Sequence, residues 1–258
     1  MINLTNNSND YKVGERTQFH ICYTVKNKKY ALFLVNTIIN AQFESHNNFT
    51  IFCCDDESKE VCKKYGLKFR ESYGIDVYND KVLNAMKLSN ELKDTLIMSI
   101  DVMCLYDFHN IRGAFGRITN YKNNTIYYKN YFLEFGDSSK KMKNCVAGGL
   151  LFYYNISQKL IDTYLKCYNK VLSKKKNIPY EDNRIFNECV VTEESVLTFN
   201  KHRLHLKLLT KEMCIKADRS IIDVGGGETV NHMVKNNLRY NRFCYLNEDV
   251  YEDLKKCV

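Results

Sequence analysis

Residues Leu96–Asp107 read LIMSIDVMCLYD. The apolar run Leu96, Ile97, Met98 and Ile100 has the length and character of a buried strand. Asp101 stands where that strand would end. In open α/β sheets, ligands bind beyond the carboxyl ends of the strands. An acid at that point is placed to hold a metal ion or a phosphate-bearing ligand.

The chain before this stretch alternates. Phe19–Val25 (FHICYTV) reads as a strand. Lys29–Ala41 follows as a helix, with Tyr30, Leu34, Val35, Ile38 and Ile39 at helical spacing. Phe49–Cys54 (FTIFCC) is a second strand, ending at the acidic pair Asp55 and Asp56. Ser58–Tyr65 and Lys81–Lys93 read as helices, and Thr95–Asp101 as the next strand. Strands alternating with helices predict βαβ units and a parallel sheet.

Beyond Asp101 the pattern changes. Arg112–Ile118 and Thr125–Leu133 read as strands with no helix between them. Cys145–Tyr154 (CVAGGLLFYY) is a further strand, Ser157–Ser173 a long amphipathic helix and Tyr180–Cys189 another helix. Short strands are expected at Ser195–Phe199 and Ser220–Val224, and short helices at Asn231–Asn236 and Glu248–Lys256. The predicted class is α/β, with a mostly parallel central sheet and a mixed second half. Residues 1–17, polar and rich in Asn, read as a flexible lead-in. Residues 18–258 read as one domain, without repeat or linker.

Bulk composition narrows the function classes. A chain of 258 residues, 45% of them hydrophobic, can bury one large core. The eleven cysteines are scattered, several within apolar runs (Cys22, Cys53, Cys54), and no C-x-x-C pair exists. That pattern speaks for buried free thiols in a reducing compartment rather than disulfides or structural zinc. The N-terminus lacks a signal-peptide pattern and no run has membrane-span length. The expectation is therefore an intracellular, cytoplasmic protein. The net charge of +8 is compatible with an anionic ligand, an anionic surface or lysine-rich solubility.

Several residues are candidates for chemistry, each with a plain structural alternative. Tyr30, at the start of the first helix, could stack on a planar ring or serve as an ordinary amphipathic residue. Asp101, with Asp107 six residues on, carries oxygens suited to Mg²⁺ or Mn²⁺, or else caps a strand end. Gly148 and Gly149, inside an apolar strand, mark either close ligand approach or a bulge. Glu181, Asp182 and Asn183 open a helix after Pro179, where the helix dipole alone favours acids. A functional Asp182 would act as base, nucleophile or acceptor. The stretch Ile221–Gly227 (IIDVGGG) superficially resembles a methyltransferase glycine motif. Too little chain follows it for the sheet such a motif opens. His232 is a possible metal ligand through an imidazole nitrogen.

In order, these features resemble the nucleotide-sugar-dependent glycosyltransferases of the GT-A fold, especially the glycogenin-like and bacterial galactosyltransferase-like family. ICYTVKNKKYALFLVNTI is similar to the family's first strand and turn, with Thr24 and Tyr30 in the matching places. IMSIDVMCLYD matches the strand ending in Asp-x-Asp if Asp101 is the second Asp. Ser99 then stands where the family carries the first. Ala147-Gly148-Gly149 corresponds to its Asn-x-Gly. Residues 181–187 (EDNRIFN) resemble its Asp-Gln-Asp-x-x-Asn helix. Residues 232–239 (HMVKNNLR) resemble its late His-x-x-Gly-x-x-Lys loop, with Lys235 at the Gly position and Arg239 one place beyond the Lys. The likeness spans about residues 19–242.

The resemblance implies a single GT-A-type domain that moves a sugar from a nucleotide-diphosphate donor, UDP-linked, to a hydroxyl on a glycan, protein or small molecule, with retention of configuration. Tyr23 (through its backbone), Thr24, Tyr30, Ser99, Asp101, Gly148, Gly149, Lys235 and Arg239 would bind the donor. Asp101 and His232 would hold Mn²⁺ or Mg²⁺. Asp182 would face the anomeric carbon or the acceptor. Two other readings stand beside it. One is a GT-A fold that binds nucleotide sugar without transfer. The other is a non-enzymatic nucleic-acid-binding protein, resting on the basic clusters at Lys140–Lys143, Lys174–Lys176 and Lys201–Lys211. Those clusters lack the interleaved aromatics of a single-strand platform, and no nucleic-acid partner is expected.

Overall fold

The computed structural model describes residues 19–42, 48–100, 104–105, 117–119, 145–147, 150–153, 155–176, 196, 203, 221–222, 228–239 and 245–257. Strand β1 (Phe19–Val25) leads into helix α1 (Lys28–Gln42), and β2 (Asn48–Cys53) into α2 (Asp56–Lys64). Then come β3 (Phe69–Glu71), α3 (Val77–Glu91) and β4 (Leu96–Ile100). These four strands are mutually parallel in the order β3-β2-β1-β4. The chain winds outward one way from β1, then returns to place β4 on the other side. β8 (Leu150–Tyr153) completes the sheet antiparallel to β4.

The mixed second half is visible beyond β4. β5 (Cys104–Leu105) pairs antiparallel with β9 (Ile221–Ile222), and β6 (Arg117–Thr119) with β7 (Cys145–Ala147). Further helices among the described residues are α4 (Gln158–Lys176), α5 (Glu228–Lys235) and α6 (Glu248–Lys255).

Side-chain alternation along the strands fixes two packed faces. Ile21, Tyr23, Val25, Ile51, Cys53 and Met98 meet α1, α2, α5 and α6. Cys22, Phe52, Ile97, Leu151 and Tyr153 meet α3 and α4. Both faces of the sheet are therefore buried, which is why β1 reads as an almost unbroken apolar run.

Polar residues delimit the helices. Asp55 and Asp76 cap α2 and α3, accepting from the amides of Ser58 and Asn79. Gly66 ends α2 at φ 71°, with its N–H on the Lys63 carbonyl and that of Leu67 on Cys62. This double return needs a left-handed residue. Asn237, at φ 53°, makes the same closure after α5, with Leu238 bonding back to Met233.

Four expectations differ from the structure. β3 was not anticipated; three half-exposed residues carry no readable period. Cys145–Tyr154 is two strands in two sheets, with the double glycine between them. Val196 is helical and buried rather than part of a strand over Ser195–Phe199, an ambiguity inherent to short apolar runs. Helix α3 starts at Val77, four residues before the apolar pattern begins, because Asp76 caps it. The expected strand Thr125–Leu133 and helix Tyr180–Cys189 lie outside the described residues, as do residues 1–17.

The two ends of the described chain share one core. Buried Asn36 on α1 donates its amide to the Tyr245 carbonyl and accepts from the Asn247 N–H, both at 3.1 Å. Asp253 on α6, 7% exposed, accepts from Lys64, from the Tyr65 hydroxyl and from Lys256. Burial would raise its pKa, but these donors outweigh that and bring it to about 2. On β1, burial and nearby Arg70 lower the His20 pKa to about 4; its ring bonds Thr50 Oγ1 at 2.8 Å.

Two predictions follow from these contacts. Asn36→Ala should lower unfolding free energy in urea by about 2 kcal/mol, since it strands two backbone groups; a loss below about 0.5 kcal/mol would contradict the clamp. Stability should also fall in two acid steps. The unfolded His20 takes up a proton that the folded one refuses, so stability is full above pH 6.5 and declines toward pH 4. Asp253 contributes above pH 3.8 and its share is lost as pH falls toward 2. Urea melts across pH should show the first limb flattened by His20→Gln and the second by Asp253→Asn.

Candidate functional site

The strand order reverses direction between β1 and β4, and the carboxyl ends of these strands form the natural crevice for a ligand. Register aligns Cys22 with Ser99, so Thr24 lies beyond Ser99 toward that end. Two residues, Lys26 and Asn27, then turn the chain into α1.

This turn is held by acids from the next βα junction. The Asp55 carboxylate accepts from Asn27 N at 2.8 Å and from Ser58 N at 2.9 Å, so one side chain serves the starts of α1 and α2. Burial pushes its pKa up, but the donors prevail and hold it below the usual carboxylate value. Glu57 accepts from Lys28 N at 3.1 Å. Asn27, at φ 64°, accepts from Tyr30 N through its own side chain. Helix N-termini attract phosphate through free amides and the dipole. Here the amides of Asn27, Lys28 and Tyr30 are already given to carboxylates and an amide oxygen, which leaves a phosphate much less of such a cradle on α1.

Tyr30 projects from the first turn of α1 and is 46% exposed, with its ring edge-to-face on Phe33 at 5.6 Å. Tyr23 is buried on the α1 side, edge-on to Phe49. Thr24 faces α3, where its hydroxyl accepts from Asn84 Nδ2 at 3.1 Å. Ser99 is fully buried and donates to the Lys81 carbonyl at 3.3 Å. Its hydroxyl is thus turned into the α3 layer.

On α5, His232 and Lys235 are exposed, and the His232 Nδ1 lies 3.2 Å from the Asn236 amide. Arg239 pairs with Glu248 at 2.9 Å and Glu252 at 3.9 Å, and stacks on Tyr251. Its guanidinium is engaged by α6 rather than offered beyond the sheet. Asp101, Gly148, Gly149 and Asp182 lie outside the described residues. The structure therefore brings Thr24, Tyr30 and the buried Ser99 to the ends of β1 and β4.

A polar network that sequence reading missed lies beside Thr24. Asn84 donates to both Thr24 and Ser72, and Ser72 donates to Asp80 at 2.6 Å. Asp80, 1% exposed, also accepts from Gly74 N and Ile75 N. This carboxylate shapes the β3–α3 loop, in which Gly74 takes φ 83°. The available signal was the polar set Asn79, Asp80, Lys81 and Asn84 in one helix.

Among the described residues no three His, Cys, Asp or Glu side chains gather as a metal site. Ser99 is engaged by the Lys81 carbonyl, and Asp101, the expected metal ligand, lies outside the described residues. No helix among the described residues is long and apolar enough to cross a membrane. No known family's model matches the chain, and no curated protein is significantly similar to it.

Asp55→Ala should remove two caps at once and cost about 2 kcal/mol. Hydrogen exchange should then quicken at the Asn27 and Ser58 amides; unchanged protection there would refute the shared cap.

Proposed function

We propose that the protein is a nucleotide-sugar glycosyltransferase of GT-A type, acting on a UDP-linked donor and a hydroxyl acceptor. The observation that carries this reading is an exposed tyrosine, Tyr30, on the first turn of α1, beside the reversal of strand order in a parallel sheet. A flat ring at this position suits stacking on a nucleobase. Thr24 and the backbone at Tyr23 would contact the base edge.

With three of the amides at the start of α1 already engaged, the diphosphate charge calls for a cationic side chain. Lys235 is the exposed cation proposed for that role, stabilising the leaving nucleoside diphosphate. Arg239 would have to leave Glu248 to assist. Asp101 and His232 remain the proposed metal ligands, and Asp182 the residue proposed to face the anomeric carbon.

The inward hydroxyl of Ser99 favours a second reading: a fold that binds the nucleotide sugar without transferring it. Donor hydrolysis separates the two, since a transferase slowly hydrolyses its donor and a pure binder does not.

Calorimetric titration with UDP, with and without Mn²⁺, tests the donor site. Tyr30→Ala should weaken UDP binding about 5- to 100-fold, the range of one lost base–aromatic stack, while Tyr30→Phe should bind nearly as wild type. Absence of binding to UDP and to a panel of nucleotide sugars in both conditions would overturn the reading. Asp101→Ala should abolish donor turnover; wild-type rates would remove Asp101 from the site.

A further inference from the structure

The molecule contains a second chemical feature, away from Tyr30 and independent of any sugar donor. Cys53, the last residue of β2, and Cys62, in the second turn of α2, place their sulfurs 3.7 Å apart. Both are free and buried. We propose that Cys53 and Cys62 are an oxidisable dithiol that closes into a reversible disulfide strap between β2 and α2.

The geometry is already close. Sulfur travel from 3.7 Å to the about 2.05 Å of a disulfide is under about 2 Å. The two residues belong to adjacent, packed elements joined by a short turn. Thiol chemistry assigns the roles. The two thiols share a hydrogen bond in which either sulfur can donate, and the Cys62 and Ser58 side chains hold the Cys53 pKa below its ordinary value. The other shifted thiols go the opposite way. Burial raises Cys22 and Cys167, and moves Cys54 up to about 11. In this proposal Cys53 attacks first and Cys62 resolves.

The oxidant class is a small hydroperoxide, because the pair is enclosed and a water-sized reagent reaches it through local opening of α2. The Cys53 thiolate attacks one peroxide oxygen, the O–O bond breaks and hydroxide leaves, giving a sulfenic acid at Cys53. Cys62 then attacks that sulfur. The S–O bond breaks, an S–S bond forms, and the Cys62 proton leaves with the hydroxyl as water. Overall two thiols and one hydrogen peroxide become one disulfide and two waters. The strap would join the two segments that flank Asp55, the shared cap of α1 and α2.

The folded protein is exposed to hydrogen peroxide, then denatured, alkylated and digested with trypsin without reduction. The expected product is a cross-link between the peptide Tyr30–Lys59, which holds Cys53 and Cys54, and the peptide Glu60–Lys63, which holds Cys62. It should be lighter than the two free peptides by about 2 Da, the two thiol hydrogens, and vanish with dithiothreitol. It should persist in Cys54→Ser, and in Cys62→Ser it should be replaced by a sulfenic acid trapped at Cys53. Fragmentation of the wild-type cross-link between Cys53 and Cys54 gives the same assignment if a variant does not fold. Equal oxidation of Cys22, a link through Cys54, or full alkylation of both Cys53 and Cys62 would each overturn the proposal.

Discussion

Burial of β1 on both faces is the constraint from which the rest of this architecture follows. Ile21, Tyr23 and Val25 point one way and Cys22 the other, and all are close to fully buried. A strand with no wet face requires a helical layer above and below it. The chain meets that need by winding α1 and α2 onto one face and α3 onto the other. The reversal of strand order beside β1 is a result of this winding. In open α/β sheets such a reversal is where ligands bind, because helices leave the two neighbouring strands on opposite sides.

The side chains at that crevice are mostly turned inward. Thr24 is bound by Asn84, Ser99 by Lys81, and the α1 amides by Asp55 and Glu57. Such an edge offers backbone and an aromatic ring more than it offers free hydroxyls. This inward bonding fixes the strand ends rigidly, which suits preorganised recognition. It also concentrates adaptable chemistry on side chains outside the network, Tyr30 foremost.

Much of the first half of the fold was legible in the residues. FHICYTV, FTIFCC and LIMSI are β-rich apolar runs, and the helices between them repeat at the right period. What was hidden has physical causes. β3 is three residues long and half exposed, so it owes its extended form to pairing with β2. The apolar run from Cys145 onward is divided between two sheets, a tertiary event that local pattern does not encode. The placement of Thr24 at the end of β1 and of Tyr30 on the first turn of α1 was legible because both lie in a strand–turn–helix segment with readable order. The hydroxyl of Ser99 was read as ligand-facing, yet its direction depends on Lys81, eighteen residues earlier. Asn84 and Asp80 were missed because a buried amide in a helix looks, in sequence, like an exposed one.

The Asn36 clamp has a consequence for the order of events in the cell. The outer face of α1 is covered by α6, whose residues come more than two hundred positions later. During synthesis the parallel strands can assemble long before their covering helix leaves the ribosome. For that interval an apolar helix face is open to water and to other chains. Completion of this core thus closes a very long loop, slow by its contact order. Until α6 docks, that face of α1 is an exposed apolar stripe of the kind that invites association with other chains.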